Sequence, residues 1–216
     1  MSDRLARIPT GRPPDVDRDP VVRLLPDVPT GLVATPACGT PTVPPAIVLV
    51  WTNHGDPATP AVRNRLERSA DPSFATGLTS MVLPGAISRH TDGDVLPNTT
   101  YHYRVRAEYP TGHSAWSNLA PGCVPLLAPV RLTALVPQVG PPRLFWTNRS
   151  FADGVELQRA TNPTFSSGLV TLALPTCATW TDPTVGPETT YYYRVRTGYL
   201  GTFSPWSTLA VVSTRR

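Results

Sequence analysis

The chain contains no lysine, and all nineteen of its basic residues are arginine. Isoleucine occurs only at Ile8, Ile47 and Ile87, a bias that fits a GC-rich gene and carries no mechanism. Charge is scarce, with 16% of residues ionised against 40% hydrophobic, which excludes a chain kept disordered by its own charge. Long apolar runs are missing as well. The longest, Ala46 to Trp51, falls far short of the ~20 residues that span a bilayer, so no membrane span is expected. Met1 to Thr10 lacks the apolar centre of a secretory signal, so export by that route is not expected. The net charge of +4 is low for a nucleic-acid binder. It is also uneven: residues 1–28 and 29–125 are balanced, and 126–216 hold eight Arg against four acids. No Gly-rich phosphate loop, nucleophile elbow or HExxH helix is present, so neither catalysis nor a cofactor is expected.

Proline is abundant, at 27 residues, with 15 glycines beside it, and a repeat organises them. Leu49-Val50-Trp51-Thr52-Asn53 recurs as Leu144-Phe145-Trp146-Thr147-Asn148. Leu66 to Phe74 recurs as Leu157 to Phe165, and Thr99 to Arg106 as Thr189 to Arg196. The offset shrinks from 95 to 90, which places extra residues of the first copy in a loop around His54 to Arg65. Within each copy, short runs alternate in polarity between Pro, Gly and Asx punctuation, the pattern of strands. From Tyr101 to Ala107 the odd positions are apolar and the even ones polar, so one face belongs to a core and the other to water. Two packed sheets per copy follow.

These residues resemble the fibronectin type III domain over nearly all of 29–216. Val95-x-Pro97-x-Thr99-x-Tyr101 and Val185-x-Pro187-x-Thr189-x-Tyr191 look like that family's tyrosine corner, in which the phenol bonds to backbone upstream. Trp51 and Trp146 stand where it places a buried tryptophan. The resemblance implies an all-β fold of two tandem seven-stranded antiparallel sandwiches, residues 29–125 and 126–216, behind an N-terminal arm, residues 1–28. His113-Ser114-Ala115-Trp116-Ser117 and Phe203-Ser204-Pro205-Trp206-Ser207 are similar to degenerate forms of the Trp-Ser-x-Trp-Ser box of cytokine receptors. That likeness implies a structural ladder in which Arg104 and Arg106 stack on Trp116, and Arg194 and Arg196 on Trp206. With His113 and Phe203 in place of the first tryptophan, half the ladder is expected to be lost.

Other residues carry weaker signals. His54 and His113 fall in loops at one pole, but a metal site would need a third ligand, and Asp56 is the only near choice; no metal is expected. Asp92 and Asp182 recur before the corners, as Asx turns would. Tyr192, Trp180, Tyr109, Tyr199 and Phe203 are left over as residues that could stack on a sugar. By the family topology Cys38 and Cys123 end at the same pole of the first copy, and their counterparts are both absent from the second. A Cys38–Cys123 disulfide is expected slightly ahead of two buried thiols, with Cys177 free.

Residues 1–28 include Pro9, Pro13, Pro14, Pro20 and Pro26, which favour an extended arm; the bland alternative is a disordered tail. Leu5, Ile8, Val21, Val22, Leu24 and Leu25 cannot bury one another in so short a segment and would anchor the arm on an outside surface. The expectation is a non-catalytic structural protein of a large assembly, best matched by a bacteriophage virion. Its partners would be other subunits, reached through the arm, and it would be located on the virion or an extracellular assembly. The alternative is a carbohydrate- or cell-surface-binding module of a secreted bacterial protein, with a glycan or receptor as ligand.

Overall fold

In the computed structural model, which describes residues 27–55 and 60–216, the alternating runs form sixteen strands and no helix among the described residues. The first repeat comprises β1 (Thr30–Ala37), β2 (Ala46–Thr52), β3 (Arg63–Ser69), β4 (Thr79–Pro84), β5 (Arg89–Asp92), β6 (Thr100–Tyr109), β7 (Gly112–His113) and β8 (Ala120–Cys123). The second repeats the order as β9 (Val130–Leu135), β10 (Arg143–Thr147), β11 (Gly154–Ala160), β12 (Val170–Pro175), β13 (Thr179–Thr181), β14 (Thr190–Tyr199), β15 (Thr202–Phe203) and β16 (Ala210–Ser213). One sheet of the first repeat runs β1-β2-β5. The other runs β4-β3-β6-β7, with β8 also on β6, and the second repeat copies both. All pairings are antiparallel. Each repeat is thus a sandwich of seven strands whose last is broken into two pieces on one edge.

The period-2 pattern sets the core. Tyr101, Tyr103, Val105 and Ala107 of β6 turn inward to meet Ile47, Leu49 and Trp51 of β2, with Leu66 beside them. Tyr193 and Val195 of β14 meet Leu144 and Trp146 of β10 in the same way. At the corners, the Leu96 N–H donates to the Tyr101 phenol oxygen at 3.3 Å and the Gly186 N–H to that of Tyr191 at 2.9 Å. The loop between β2 and β3 is longer than that between β10 and β11 and holds the first repeat's extra residues.

The disulfide expectation is corrected: Cys38, Cys123 and Cys177 are all free thiols. Strand alternation explains it. A side chain at Gly122 would point at Ala34 and Ile47, so its neighbour Cys123 leaves on the opposite face of β8, whereas Cys38 packs against the core. The anchoring residues Leu5, Ile8, Val21, Val22, Leu24 and Leu25, and the loop residue Asp56, lie outside the described residues.

Candidate functional site: arginine stacks and cross-sheet clamps

The outward face of β6 and β14 carries the arginines, because alternation that buries Tyr103 and Val105 must expose Arg104 and Arg106. The Arg104 guanidinium lies 4.1 Å from the Phe74 ring centre and 4.3 Å from that of Trp116, and Arg106 lies 4.6 Å from Trp116 on its other side. In the second repeat the stack is one layer longer: Phe165, Arg194, Trp206, Arg196 and Phe203, with spacings of 4.0 to 4.4 Å. The expectation of half a ladder is corrected in the second repeat only; in the first, Arg106 stacks on Trp116 and His113 turns to the Ser114 carbonyl. Phe203 does the stacking that its place in the sequence called into question, and Phe74 and Phe165 close the far end. Both phenylalanines sit at positive φ, 59° and 57°, in loops tied down by Asp71 and Asn162. Those Asx residues accept backbone N–H groups from the following residues and so fix each ring over its arginine.

The arginines also have polar partners at their heads, carboxylates for three of them. Arg104 donates twice to Glu67, at 2.7 and 2.9 Å, and Arg194 twice to the amide oxygen of Gln158 at 2.7 and 2.9 Å. Arg196 pairs with Glu156 at 2.9 Å, and Glu108 faces both Arg65 and Arg106. The hydrogen bond from Arg65 holds the Glu108 carboxyl below its ordinary value against the opposing effect of burial. Burial, with Arg196 beside it, lowers Arg194.

The tryptophans stay in register because the serines beside them replace strand bonds. The Ser114 and Ser117 N–H groups donate to the Ala107 and Val105 carbonyls at 2.9 Å. Their hydroxyls accept the N–H groups of the same two residues at 3.0 and 3.1 Å. Ser204 and Ser207 do the same for Thr197 and Val195. This is why the last strand breaks between β7 and β8 without leaving β6 unpaired.

Asp92 and Asp182 are more than Asx turns. Each does accept a backbone N–H two residues on, from Asp94 at 3.1 Å and Thr184 at 3.0 Å. Each is also almost fully buried and ties the two sheets together. Arg68 of β3 donates to Asp92 of β5 at 2.9 Å and the Tyr103 phenol donates at 3.0 Å, and Arg159 and Tyr193 donate to Asp182 at 2.8 and 2.9 Å. Burial alone would raise Asp182. Hydrogen bonds from Thr184, Arg159 and Tyr193 outweigh it and hold the carboxyl below its ordinary value. Burial and the facing carboxylate push both phenols well above the usual range. Arg68, Arg159, Phe74, Phe165 and the four serines lie within the repeated runs and boxes of the sequence, which gave them no role of their own.

Three of the leftover aromatics make internal contacts. Trp180 packs against the second core, Tyr199 meets Phe151 edge-on at 5.1 Å, and Tyr109 reaches the His54 carbonyl at 3.5 Å. His54 is hydrogen-bonded with the Thr30 hydroxyl at 2.6 Å, and His113 Nδ1 donates to the Ser114 carbonyl at 3.0 Å. Among the described residues no three metal-ligating side chains converge.

Comparison with known proteins bears on the fold. No protein-family model and no curated protein sequence matches the chain. A solved two-domain fibronectin type III segment of chicken tenascin superposes with a TM-score of 0.50 at 16% identity, covering 87% of this chain and 100% of that one. The FN1–FN3 domains of chicken CNTN1 give 0.40 at 14% identity, covering 88% and 67%. The fold is that of two tandem fibronectin type III domains, a scaffold that by itself assigns no function.

Proposed function

We propose that the chain is a non-catalytic accessory subunit of a large assembly, a bacteriophage virion, held there by its N-terminal arm while the two sandwiches project. The observation that carries the reading is the fate of the polar residues. The buried carboxylates Asp92 and Asp182 and the arginines of both stacks are spent on joining strands and sheets, in two copies of one pattern. A duplicated set of internal ties is what a spacer needs, and a reaction centre would have left one copy with groups free to act. The phage assignment rests on analogy: virion proteins carry such domains. The arm, residues 1–28, supplies attachment through Leu5, Ile8, Val21, Val22, Leu24 and Leu25.

A chain beginning at Asp27 tests this. It should give the same amide spectrum over β1–β16 as the full chain, yet fail to label native particles when added back with an antibody tag. Full occupancy by the truncated chain would move attachment onto the sandwiches and remove the arm from the account.

A further inference from the structure

Tandem domains joined by a short connection normally move against one another unless their interface is large and apolar. Here the connection is bonded to the last residue. Asn98, in the loop before β6, donates its N–H to the Val124 carbonyl at 2.8 Å and accepts the Leu126 N–H on Oδ1 at 3.0 Å, which ties the connection to the first repeat. The next residue belongs to the second repeat. The Leu127 N–H donates to Ser150 Oγ at 3.0 Å, and its carbonyl accepts from Thr197 Oγ1 at 3.4 Å. A third bond crosses directly: Asn98 Nδ2 donates to the Phe203 carbonyl at 3.1 Å. Leu126 and Ser150 are both buried.

We infer that the two repeats are locked at one fixed angle by a joint built on Asn98 and Ser150, so that the chain acts as a single strut. Between the amide held by the first repeat and the amide held by the second stand only the φ and ψ of Leu126, whose buried side chain restrains them. Swivelling would require breaking the bonds of the buried Leu126 and Ser150 together with the exposed Asn98–Phe203 bond, and no residue lies between the two held amides to absorb the turn.

The counterpart loop of the second repeat separates what the fold requires from what the joint requires. Glu188 stands in the place of Asn98 with nearly the same left-handed backbone, φ 49° against 55°, so that conformation belongs to the corner. The amide belongs to the joint. A carboxylate accepts but cannot donate, and Glu188 instead faces Arg216. At the boundary between repeats this position carries a side chain able to accept from the connection while donating to the second repeat.

Residual dipolar couplings of the full, weakly aligned chain test the lock. One alignment tensor should fit the amides of β2–β6 and β10–β14 together. In the double variant Asn98→Ala, Ser150→Ala, and in a chain with one glycine inserted between Leu126 and Leu127, the two repeats should require separate tensors. Unchanged amide shifts in the two cores verify that each repeat is still folded. Two tensors in the unaltered chain would overturn the inference, as would one tensor in both altered chains. Separate tensors with the inserted glycine alone would overturn the assignment to Asn98 and Ser150.

Discussion

Replacing Asp182 by Asn removes one negative charge from the clamp of the second repeat while keeping nearly the same shape. Oδ2 of Asp182 accepts from Arg159 and Tyr193, and Oδ1 accepts from the Thr184 N–H and hydroxyl at 3.0 and 2.7 Å. An asparagine that keeps its oxygen toward Thr184 turns its NH2 group on two donors, and the flipped rotamer turns it on the other two. In either case the Arg159 side chain, 9% exposed, loses its counter-charge. Breaking a buried ion pair from one side costs ~3–5 kcal/mol, set against a total domain stability of ~5–15 kcal/mol. With a urea slope of ~1–3 kcal/mol/M, the midpoint of the second repeat should fall by about 2 M. Amide NMR during urea titration reads each repeat separately, and the first repeat serves as the internal reference. Tyr193→Phe keeps the charge pair and loses one bond, so its cost should be smaller, ~1.5–3 kcal/mol. A shift for Asp182→Asn within the ~0.5 kcal/mol of an ordinary surface change would refute the reasoning, because Arg159 would then be reaching water.

Tyr101→Phe and Tyr191→Phe should each destabilise their own repeat by ~1 kcal/mol in urea unfolding, more at Tyr191, whose bond is the shorter. Ser207→Ala leaves the Val195 N–H aimed at nothing and should cost ~1–3 kcal/mol, with faster hydrogen exchange at the Val195 amide as its local signature. Asp182 and Glu108 are held below their ordinary values, so the stability they contribute is complete above the unfolded carboxylate pKa and is lost as pH falls through the folded values. Urea midpoints should hold steady down to about pH 5 and then drop, and Asp182→Asn should flatten the drop in the second repeat.

The tandem sandwich was legible because the evidence for it is local. A recurring Trp-Thr-Asn and a Tyr-x-Tyr-Arg-Val-Arg run state both the repeat and the face that is buried. The clamps were illegible for the opposite reason. Arg68 and Asp92 lie 24 residues apart on strands of different sheets, and only closure of the sandwich brings them to 2.9 Å. Reading Asp92 as a turn residue captured its bond to Asp94 and missed the oxygen that faces the core. The thiol pairing failed on parity: sharing a pole does not fix which face of the strand a side chain leaves from, and Gly122 decides that for Cys123. The stacks were half legible, since alternation announces the arginines, but a phenylalanine held over them by a left-handed loop has no signature except its recurrence.

The broken last strand has a bearing on how such chains behave when crowded. An outermost strand ordinarily offers a row of free N–H and C=O groups to any passing extended segment, and that is how sheets of neighbouring molecules fuse. Between β7 and β8, and again between β15 and β16, the Ser-x-x-Ser segments direct their N–H and hydroxyl groups back at β6 and β14. Pro121 and Pro205 have no N–H to present at all. Copies packed side by side on a surface could therefore touch along these margins without zipping into one continuous sheet.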